Sequence, residues 1–353
     1  MADSNPGPED RTEPICAYFG TCGGCSLQHL GLLSYAAYKR GLVADALARA
    51  HVAAEVAPLR IAHGEGRRRA TLHVRGKAAG YMKARSHELL DIEACPILVP
   101  TLQSSAPALA RQIGATIGDC DVAFTATDTG LDISVRTDKR GLKPERLTPL
   151  AQRQGAARMS LNGELVLESR SPTLNMGTAQ VGLPAGGFVQ ATKSAEETLA
   201  ALVLDGLGSA KSVADLFCGV GPFALRIAER ARVFAADADK PSIAALAAAV
   251  RHTKGLKPVE AVTRDLFRNP LAPTEMVGFD AVVFDPPRAG AEAQTRELAR
   301  SKVRTVVAVS CEPRTFARDT AILIAGGYRL ETLTPVDQFA WSPHVELVGI
   351  FRR

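Results

Sequence analysis

The chain has no apolar run that approaches the ~18 residues required to cross a membrane. Residues 1–12 are polar and acidic, and they lack the apolar core of a signal peptide. The sequence also has no internal repeat and no low-complexity segment. We therefore expect a cytoplasmic protein without membrane contact, whose seven cysteines do not form disulfides.

The composition is that of a globular protein, with 46% hydrophobic and 22% charged residues. A length of 353 residues suggests two or three domains. The net charge of +5 alone is weak support for a polyanionic partner. Basic side chains are nevertheless concentrated in one short β-like stretch, which favours either nucleic-acid binding or a solvated basic face: Arg67, Arg68, Arg69, Arg75, Lys77, Lys83 and Arg85.

Four of the cysteines form a pattern. Cys16, Cys22 and Cys25 lie close together on a glycine-rich loop, and Cys95 follows far downstream, directly before a proline. Four sulfur ligands suit both zinc and an iron–sulfur cluster. Because there is no second Cys-x2-Cys pair, the spacing favours the cluster over a ribbon-type zinc site. Unconnected structural cysteines are the alternative.

The predicted secondary structure divides the chain into three parts. Residues 35–50 read as a helix, and residues 68–171 as short alternating strands separated by turns. From residue 186, longer β and α units alternate, which predicts a doubly wound parallel sheet in an α/β protein with a smaller antiparallel β domain. The predicted divisions are a disordered start with the cysteine loop (1–30), a helical segment (31–60), a β-rich central domain including Cys95 (61–185) and the α/β domain (186–353).

Candidate cofactor residues follow successive predicted strands. Gly219 and Gly221 lie on the turn from the first strand to its helix, where the backbone can approach a ligand closely. Asp237 ends the next strand and suits a ribose diol, and Asp265, after the third, can accept from an adenine amino group. Helix capping is the alternative for each aspartate. Their register favours a cofactor that contains a nucleoside.

A second set of residues suits covalent chemistry. Cys311 follows the apolar run 303–309, at the carboxyl end of a predicted buried strand, where a helix N-terminus would lower the thiol pKa. Asp285, on a rigid Asp-Pro-Pro turn, can bind an amide edge or an amino group. Glu346 opens the last strand and suits a general base. The alternatives are a buried structural cysteine and an exposed glutamate. Glu312 should raise the thiol pKa unless its side chain points away or is paired.

In combination, these motifs resemble the S-adenosylmethionine-dependent RNA uracil-5-methyltransferases, which form 5-methyluridine in ribosomal and transfer RNA. The resemblance covers nearly the whole chain. It rests on the following segments: Cys-x5-Cys-x2-Cys with Cys95, Gly187-Phe188-Val189-Gln190, Asp215 to Phe223, Asp285-Pro286-Pro287-Arg288, Ser310-Cys311-x-Pro313 and His344-Val345-Glu346.

The resemblance implies that Cys311 is a nucleophile that adds to C6 of a flipped-out uracil, which makes C5 reactive toward the methyl group of S-adenosylmethionine. Glu346 would then remove the C5 proton and allow Cys311 to leave. Gln190 would join the cofactor to the target base. The resemblance also implies a cofactor bay in a Rossmann-like methyltransferase domain, lined by Phe217, Asp237, Asp265 and Asp285.

The same resemblance implies a 4Fe–4S cluster on the four cysteines and a central domain that grips RNA. It places the helical segment 31–60 on the catalytic domain. The chain is most similar to the shorter iron–sulfur type without an N-terminal β-barrel domain, which implies 23S ribosomal RNA as substrate, with transfer RNA as the alternative. We expect no obligate protein partner, and hence a monomer.

Two further classes of protein share parts of this pattern. An RNA-binding maturation factor that has lost catalysis would keep the fold, but retention of Cys311, Gln190 and Glu346 argues against it. An iron–sulfur redox enzyme would use the glycine turn for a dinucleotide. The sequence lacks the G-x-G-x-x-G run that this function favours.

Overall fold

The computed structural model describes residues 10–353. Of the predicted disordered start, residues 1–9 lie outside the described part of the chain. Along residues 10–185 the elements follow in this order: α1 (Leu32–Arg49), β1 (Arg60–Ile61), β2 (Arg69–Arg75), β3 (Ala78–Met82), β4 (Leu89–Asp91), α2 (Ser105–Ile117), β5 (Cys120–Thr127), β6 (Gly130–Arg136), a 3₁₀ helix (Pro144–Leu147), α3 (Thr148–Arg153), β7 (Arg158–Leu161), β8 (Glu164–Glu168), β9 (Thr173–Met176) and β10 (Ala179–Gly182).

The remainder alternates between helices and strands. Its elements are α4 (Lys193–Leu207), β11 (Ser212–Leu216), α5 (Ala224–Ala228), β12 (Arg232–Asp237), α6 (Lys240–His252), β13 (Val259–Thr263), β14 (Ala281–Phe284), α7 (Glu292–Arg300), β15 (Thr305–Ser310), α8 (Pro313–Ala325), β16 (Arg329–Asp337) and β17 (Glu346–Arg352).

The larger sheet confirms the predicted doubly wound α/β fold. Its strand order within residues 10–353 is β1-β16-β17-β15-β14-β11-β12-β13. The strands from β11 to β15 run parallel to their neighbours, and β17 is inserted antiparallel between β15 and β16. Helices α4, α5 and α6 pack on one face, and α1, α7 and α8 on the other. The carboxyl ends of the parallel strands therefore meet at one edge.

The smaller sheet has the order β4-β3-β2-β5-β6-β7-β8. It is antiparallel except where β6 and β7 pair in parallel, because the 3₁₀ helix and α3 carry the chain back between them. In β2, Ala70, Leu72 and Val74 are buried beneath α2, while Thr71 and Arg75 are exposed on the opposite face. This is the period of two that the sequence shows.

A buried carboxylate joins the first helix to the larger sheet. Asp337 is fully buried at the end of β16, and it accepts hydrogen bonds from Tyr35 Oη at 2.5 Å, Lys39 Nζ at 2.5 Å and His63 Nε2 at 2.7 Å. Lys39 also donates to the backbone carbonyls of Phe339 and His344. Residues from both ends of the described chain thus meet at one charged centre.

No helix within residues 10–353 combines the length and the apolar character that a bilayer crossing requires.

Replacing Lys39 by Met should lower the free energy of unfolding by about 3 kcal/mol, because Asp337 would keep its buried charge and lose its ammonium partner. Urea unfolding followed by circular dichroism measures this loss. Lys193→Met is the matched control, because Lys193 pairs with Glu197 at 4.0 Å on the exposed surface and should change stability by no more than ~0.5 kcal/mol. Equal losses in the two variants would contradict the prediction.

Candidate active site

A cavity of about 760 Å³ opens where the parallel strands of the larger sheet end. Its wall comes from the ends of β11, β12, β14 and β15, the segment 184–190 and the start of β17. Seven of the predicted site residues line it and differ in chemistry: Gln190, Phe217, Gly219, Asp237, Asp285, Cys311 and Glu346. The strand-end placement inferred from the sequence thus brings the predicted nucleophile and base into one space.

The glycine turn after β11 shapes one end of the cavity. Gly219 and Gly221 have φ angles of +53° and +91°, in the left-handed region that favours glycine. A Cβ added at Gly221 would lie 2.5 Å from Leu246 Cδ1, so no larger side chain fits there without movement. The turn continues through Pro222, and α5 begins at Ala224.

Asp237 lies at the end of β12 with a fixed carboxylate. Its Oδ2 accepts from the Gly219 backbone N–H at 2.9 Å, and its Oδ1 accepts from the Asp239 backbone N–H at 2.8 Å. Each carboxylate oxygen can accept a second hydrogen bond. The carboxylate can therefore receive a pair of ligand hydroxyls without giving up the bonds that hold it.

Asp265 differs from the other predicted cofactor residues in its placement. It is not among the residues that line the cavity, and its carboxylate accepts from the backbone N–H groups of Phe267 and Arg268 at 3.0 and 3.3 Å. This is the turn-capping role that the sequence left open as the alternative. Phe267 lines the cavity instead, and its ring centroid lies 5.3 Å from that of Phe217. The two ring planes are tilted by 57° to each other, and together they offer an apolar surface to a base.

An amide network connects two carboxyl groups across the cavity, that of the partly buried Asp285 and that of the buried Glu346. Gln190 Nε2 donates to Asp285 Oδ2 at 3.3 Å, and Gln338 Nε2 donates to both Gln190 Oε1 at 2.9 Å and Glu346 Oε1 at 2.8 Å. Burial raises the pKa of Asp285, with Gln190 opposing the shift. Burial and then the charge of Asp285 raise the pKa of Glu346, while Gln338 and Arg288 lower it. Glu346 therefore lies in a setting that suits a proton acceptor near neutral pH.

Cys311 lies between the end of β15 and the start of α8, where it is about half buried. Burial, followed by the negative charges of Glu346 and Asp285, raises the pKa of its thiol to about 11, against the lowering effect of Arg288. These effects therefore outweigh the lowering of the thiol pKa that was expected from the helix N-terminus. Glu312 caps α8 by accepting from the Arg314 backbone N–H at 3.3 Å, and its charge is not among the causes that raise the thiol pKa of Cys311.

Several residues at the site carry no clear signal in the sequence. Gln338, Arg288 and His344 lie around Cys311 and Glu346, and Arg288 Nη2 lies 3.4 Å from His344 Nε2. Asp215 is fully buried beneath the glycine turn, where burial and then the charge of Asp285 raise its pKa well above the ordinary range. Position next to the Asp-Pro-Pro turn and the His-x-Glu segment was the available hint for Arg288 and His344. Nothing in the sequence marks Gln338.

The four predicted cluster cysteines line a second cavity of about 400 Å³. Two polar groups at this cavity, Gln28 Nε2 and Arg67 Nε, are buried without a hydrogen-bond partner within residues 10–353. Donors of this kind suit an anionic group between the sulfurs. No group of three or more His, Cys, Asp or Glu side chains in the described chain, however, is arranged as a metal centre.

The predicted basic stretch is used in several ways. Arg68, directly before β2, is buried and donates to Glu196 Oε2 on α4 at 2.6 Å and to the Gln190 carbonyl, so its role is structural. Lys83 and Arg75 pair with neighbouring carboxylates, and Arg67 lies at the cysteine cavity. Lys77 and Arg85 are exposed. The stretch is thus only partly a surface patch, because its residues alternate between the core and the exterior.

A family model described as tRNA (uracil-5-)-methyltransferase matches residues 181–353. The chain is 47% identical over 363 residues to an uncharacterized RNA methyltransferase of Brucella suis biovar 1, covering 100% of this chain and 87% of that protein. It is 32% identical over 365 residues to the 23S rRNA (uracil(1939)-C(5))-methyltransferase of Pseudomonas savastanoi pv. phaseolicola, covering 97% of this chain and 80% of that one.

Among solved structures, the chain is similar to the Pyrococcus abyssi tRNA (uracil-54, C5)-methyltransferase in complex with S-adenosyl-L-homocysteine. The TM-score is 0.76 with 22% sequence identity, and the match covers 95% of this chain and 86% of that one. At this identity the likeness shows a shared fold.

Because the charge of Glu346 raises the Cys311 pKa, Glu346→Gln should increase the alkylation of Cys311 by iodoacetamide at pH 9 about threefold or more, equivalent to about half a pKa unit. In the wild type the rate should still be rising at this pH, since the thiol titrates near 11. Peptide mass spectrometry separates Cys311 from the other cysteines. Glu260→Gln, at an exposed position of β13, should leave the rate unchanged. Slower alkylation in Glu346→Gln would contradict the assignment.

Proposed function

The chain belongs to the S-adenosylmethionine-dependent RNA uracil-5-methyltransferases, and within that family we propose that it methylates C5 of a uridine in 23S ribosomal RNA through a covalent Cys311 adduct. The observation that carries the mechanism is the presence of Cys311 and Glu346 in one cavity at the carboxyl edge of the larger sheet. The preference for ribosomal RNA is supported by the relative at 32% identity that is named for that substrate.

In the proposed reaction the Cys311 thiolate forms a bond to C6 of the uracil, and the C5–C6 π electrons shift to give an enolate-like C5. C5 then takes the methyl group that S-adenosylmethionine supplies. Glu346 accepts the proton from C5, the C5–C6 double bond reforms, and the bond from C6 to Sγ breaks. The elevated pKa of Cys311 means that the thiolate must be generated or stabilised once RNA and cofactor enter the site.

The cavity suits the cofactor in several respects. We assign the ribose hydroxyls to Asp237, because both of its oxygens retain acceptor capacity, and the adenine to the surface formed by Phe217 and Phe267. Gly219 and Gly221 allow close approach of the backbone. In place of the contact with an adenine amino group predicted for Asp265, we assign it the positioning of Phe267 through the turn that it caps.

A single uracil has to leave its stack to reach Cys311. Phe188 lies at the mouth of the cavity with 69% of its surface exposed, and it lines the cysteine cavity as well. An exposed aromatic ring at such an entrance suits stacking on an unpaired base. We therefore place the RNA across the junction of the two sheets, with the central domain holding the strand next to the flipped base.

Methylation of unmodified RNA tests this function. Purified protein with S-adenosylmethionine and total RNA from a strain that lacks its gene should form 5-methyluridine in the 23S fraction. Cys311→Ala should form none, and Glu346→Gln should accumulate a covalent protein–RNA complex because the C5 proton is not removed. If 5-methyluridine instead forms in transfer RNA, the substrate is transfer RNA and not 23S ribosomal RNA. RNA binding without any methylation would overturn the enzymatic assignment in favour of a maturation factor.

We further propose that Cys16, Cys22, Cys25 and Cys95 hold a 4Fe–4S cluster with a structural or RNA-positioning role. Sulfur is the donor that such clusters take, and the four side chains share one cavity with the partnerless groups Gln28 Nε2 and Arg67 Nε. The same cavity wall contains Phe339, whose ring lies 5.2 Å from the Arg67 guanidinium. A bound cluster would thereby support the loop next to the active site.

Anaerobically purified protein should contain about four iron atoms and about four labile sulfides per chain. Cys22→Ser or Cys25→Ser should lose most of both, because a thiolate ligand is removed. Cys120→Ser is the matched control, since Cys120 is a buried cysteine of β5 outside the cysteine cavity. Stoichiometric zinc without sulfide would contradict the cluster.

A further inference from the structure

Gln338 occupies a position where its backbone has little freedom. It is buried, with 1% of its surface exposed, and directly follows Asp337 at the end of β16. On one side of Gln338, Asp337 is held by three hydrogen-bond donors. On the other side, the backbone carbonyl of Phe339 accepts from Lys39 Nζ at 3.0 Å. The side chain of Gln338 therefore projects from a fixed base.

The amide of Gln338 uses its acceptor and donor groups in a single arrangement. Its Oε1 accepts from the Ala191 backbone N–H at 2.9 Å, and a backbone N–H can only donate. The Nε2 group must then be the donor to Gln190 Oε1 and to Glu346 Oε1. An Ala191 backbone group thus determines the orientation of two side-chain amides.

Two consequences reach the reacting groups. Because Gln190 Oε1 is held by Gln338, the Gln190 amide presents its Nε2 to Asp285. Because Glu346 Oε1 receives a donor, its charged form is favoured in a buried setting where Asp285 opposes it. The charged and titratable groups that act on Glu346 or respond to it are Asp285, Arg288 and Cys311.

We propose that Gln338 is a positioning residue of the methylation reaction, which aims the Glu346 carboxylate at the C5 proton and fixes the orientation of the Gln190 amide. This inference rests on the proposed function. It adds a residue that contacts neither the reacting atoms nor the cysteine cluster as a ligand, and whose effect falls on proton removal, the last chemical step before release of Cys311.

The test replaces Gln338 by Met, which has a similar volume and no hydrogen-bond donors. Removal of the donor raises the Glu346 pKa, so the base is deprotonated only at higher pH. The ascending limb of the kcat profile should move up by about one pH unit, because the hydrogen bond that favours the charged form of Glu346 is lost. At pH 7.5 kcat should fall about tenfold or more, while KM for S-adenosylmethionine stays within about twofold. The covalent protein–RNA complex should persist longer.

Gln294→Met is the matched control, because Gln294 is fully buried in α7 and hydrogen-bonds the backbone of Leu271, away from the cavity. It should keep the wild-type pH profile. Gln338→Asn retains an amide on a shorter side chain, and it tests the same shift if Gln338→Met fails to fold. It should move the limb in the same direction.

A wild-type rate and pH profile in a folded Gln338 variant would overturn the inference while leaving the proposed function intact. Equal losses of kcat in the Gln338 and Gln294 variants, with the ascending limb of the pH profile unmoved, would also overturn it. Such a result would mean that both substitutions act only by lowering the general stability of the protein. Failure of the wild-type protein to methylate RNA would instead overturn the proposed function itself.

Discussion

The buried carboxylate of Asp337 is the interaction on which the arrangement of both cavities depends. A charge with no exposure has to be compensated within the protein, and here the compensation comes from Lys39, Tyr35 and His63. Lys39 lies on α1, so separation of this helix from the larger sheet would leave the buried Asp337 carboxylate without its ammonium partner. The Tyr35 hydroxyl is hydrogen-bonded to Asp337 and also accepts from the Trp341 backbone N–H at 3.0 Å. The loop between β16 and β17 is thereby held in place before it reaches Glu346.

Repulsion between negative charges is the main electrostatic constraint in the active site. Asp285, Glu346 and Cys311 are acidic groups that share one low-dielectric cavity, and each negative charge makes the next harder to form. Arg288 and the amides of Gln190 and Gln338 oppose this effect only in part. A site of this kind is poorly suited to hold a free thiolate before substrate binds. It is well suited to a reaction in which the thiolate charge moves at once into a pyrimidine ring.

The sequence was sufficient for the α/β fold, because strong β and α alternation and the carboxyl-edge rule do not depend on detailed packing. It also placed Cys311, Asp285 and Asp237 at strand ends, where the structure has them. It could not place Asp265, because a side chain that caps its own turn and one that faces a ligand have the same spacing. The role of Gln338 could not be predicted from the sequence for a different reason. Its partners are 148 residues away at Gln190 and 8 away at Glu346, and only the tertiary fold brings them together.

The two cavities are not independent, because Phe188, Val189 and Phe339 line both. The backbone N–H groups of Ser26 and Leu27, next to Cys25, donate to the Trp341 carbonyl, and Trp341 lies in the loop that leads to Glu346. A displacement of the cysteine loop would therefore act on the same segment that Lys39 and Asp337 hold from the other side. In the proposed reaction the rigidity of this loop matters, since a general base displaced by an ångström loses much of its effect. The cysteine loop, although distant from Glu346, is therefore not incidental to the proposed reaction.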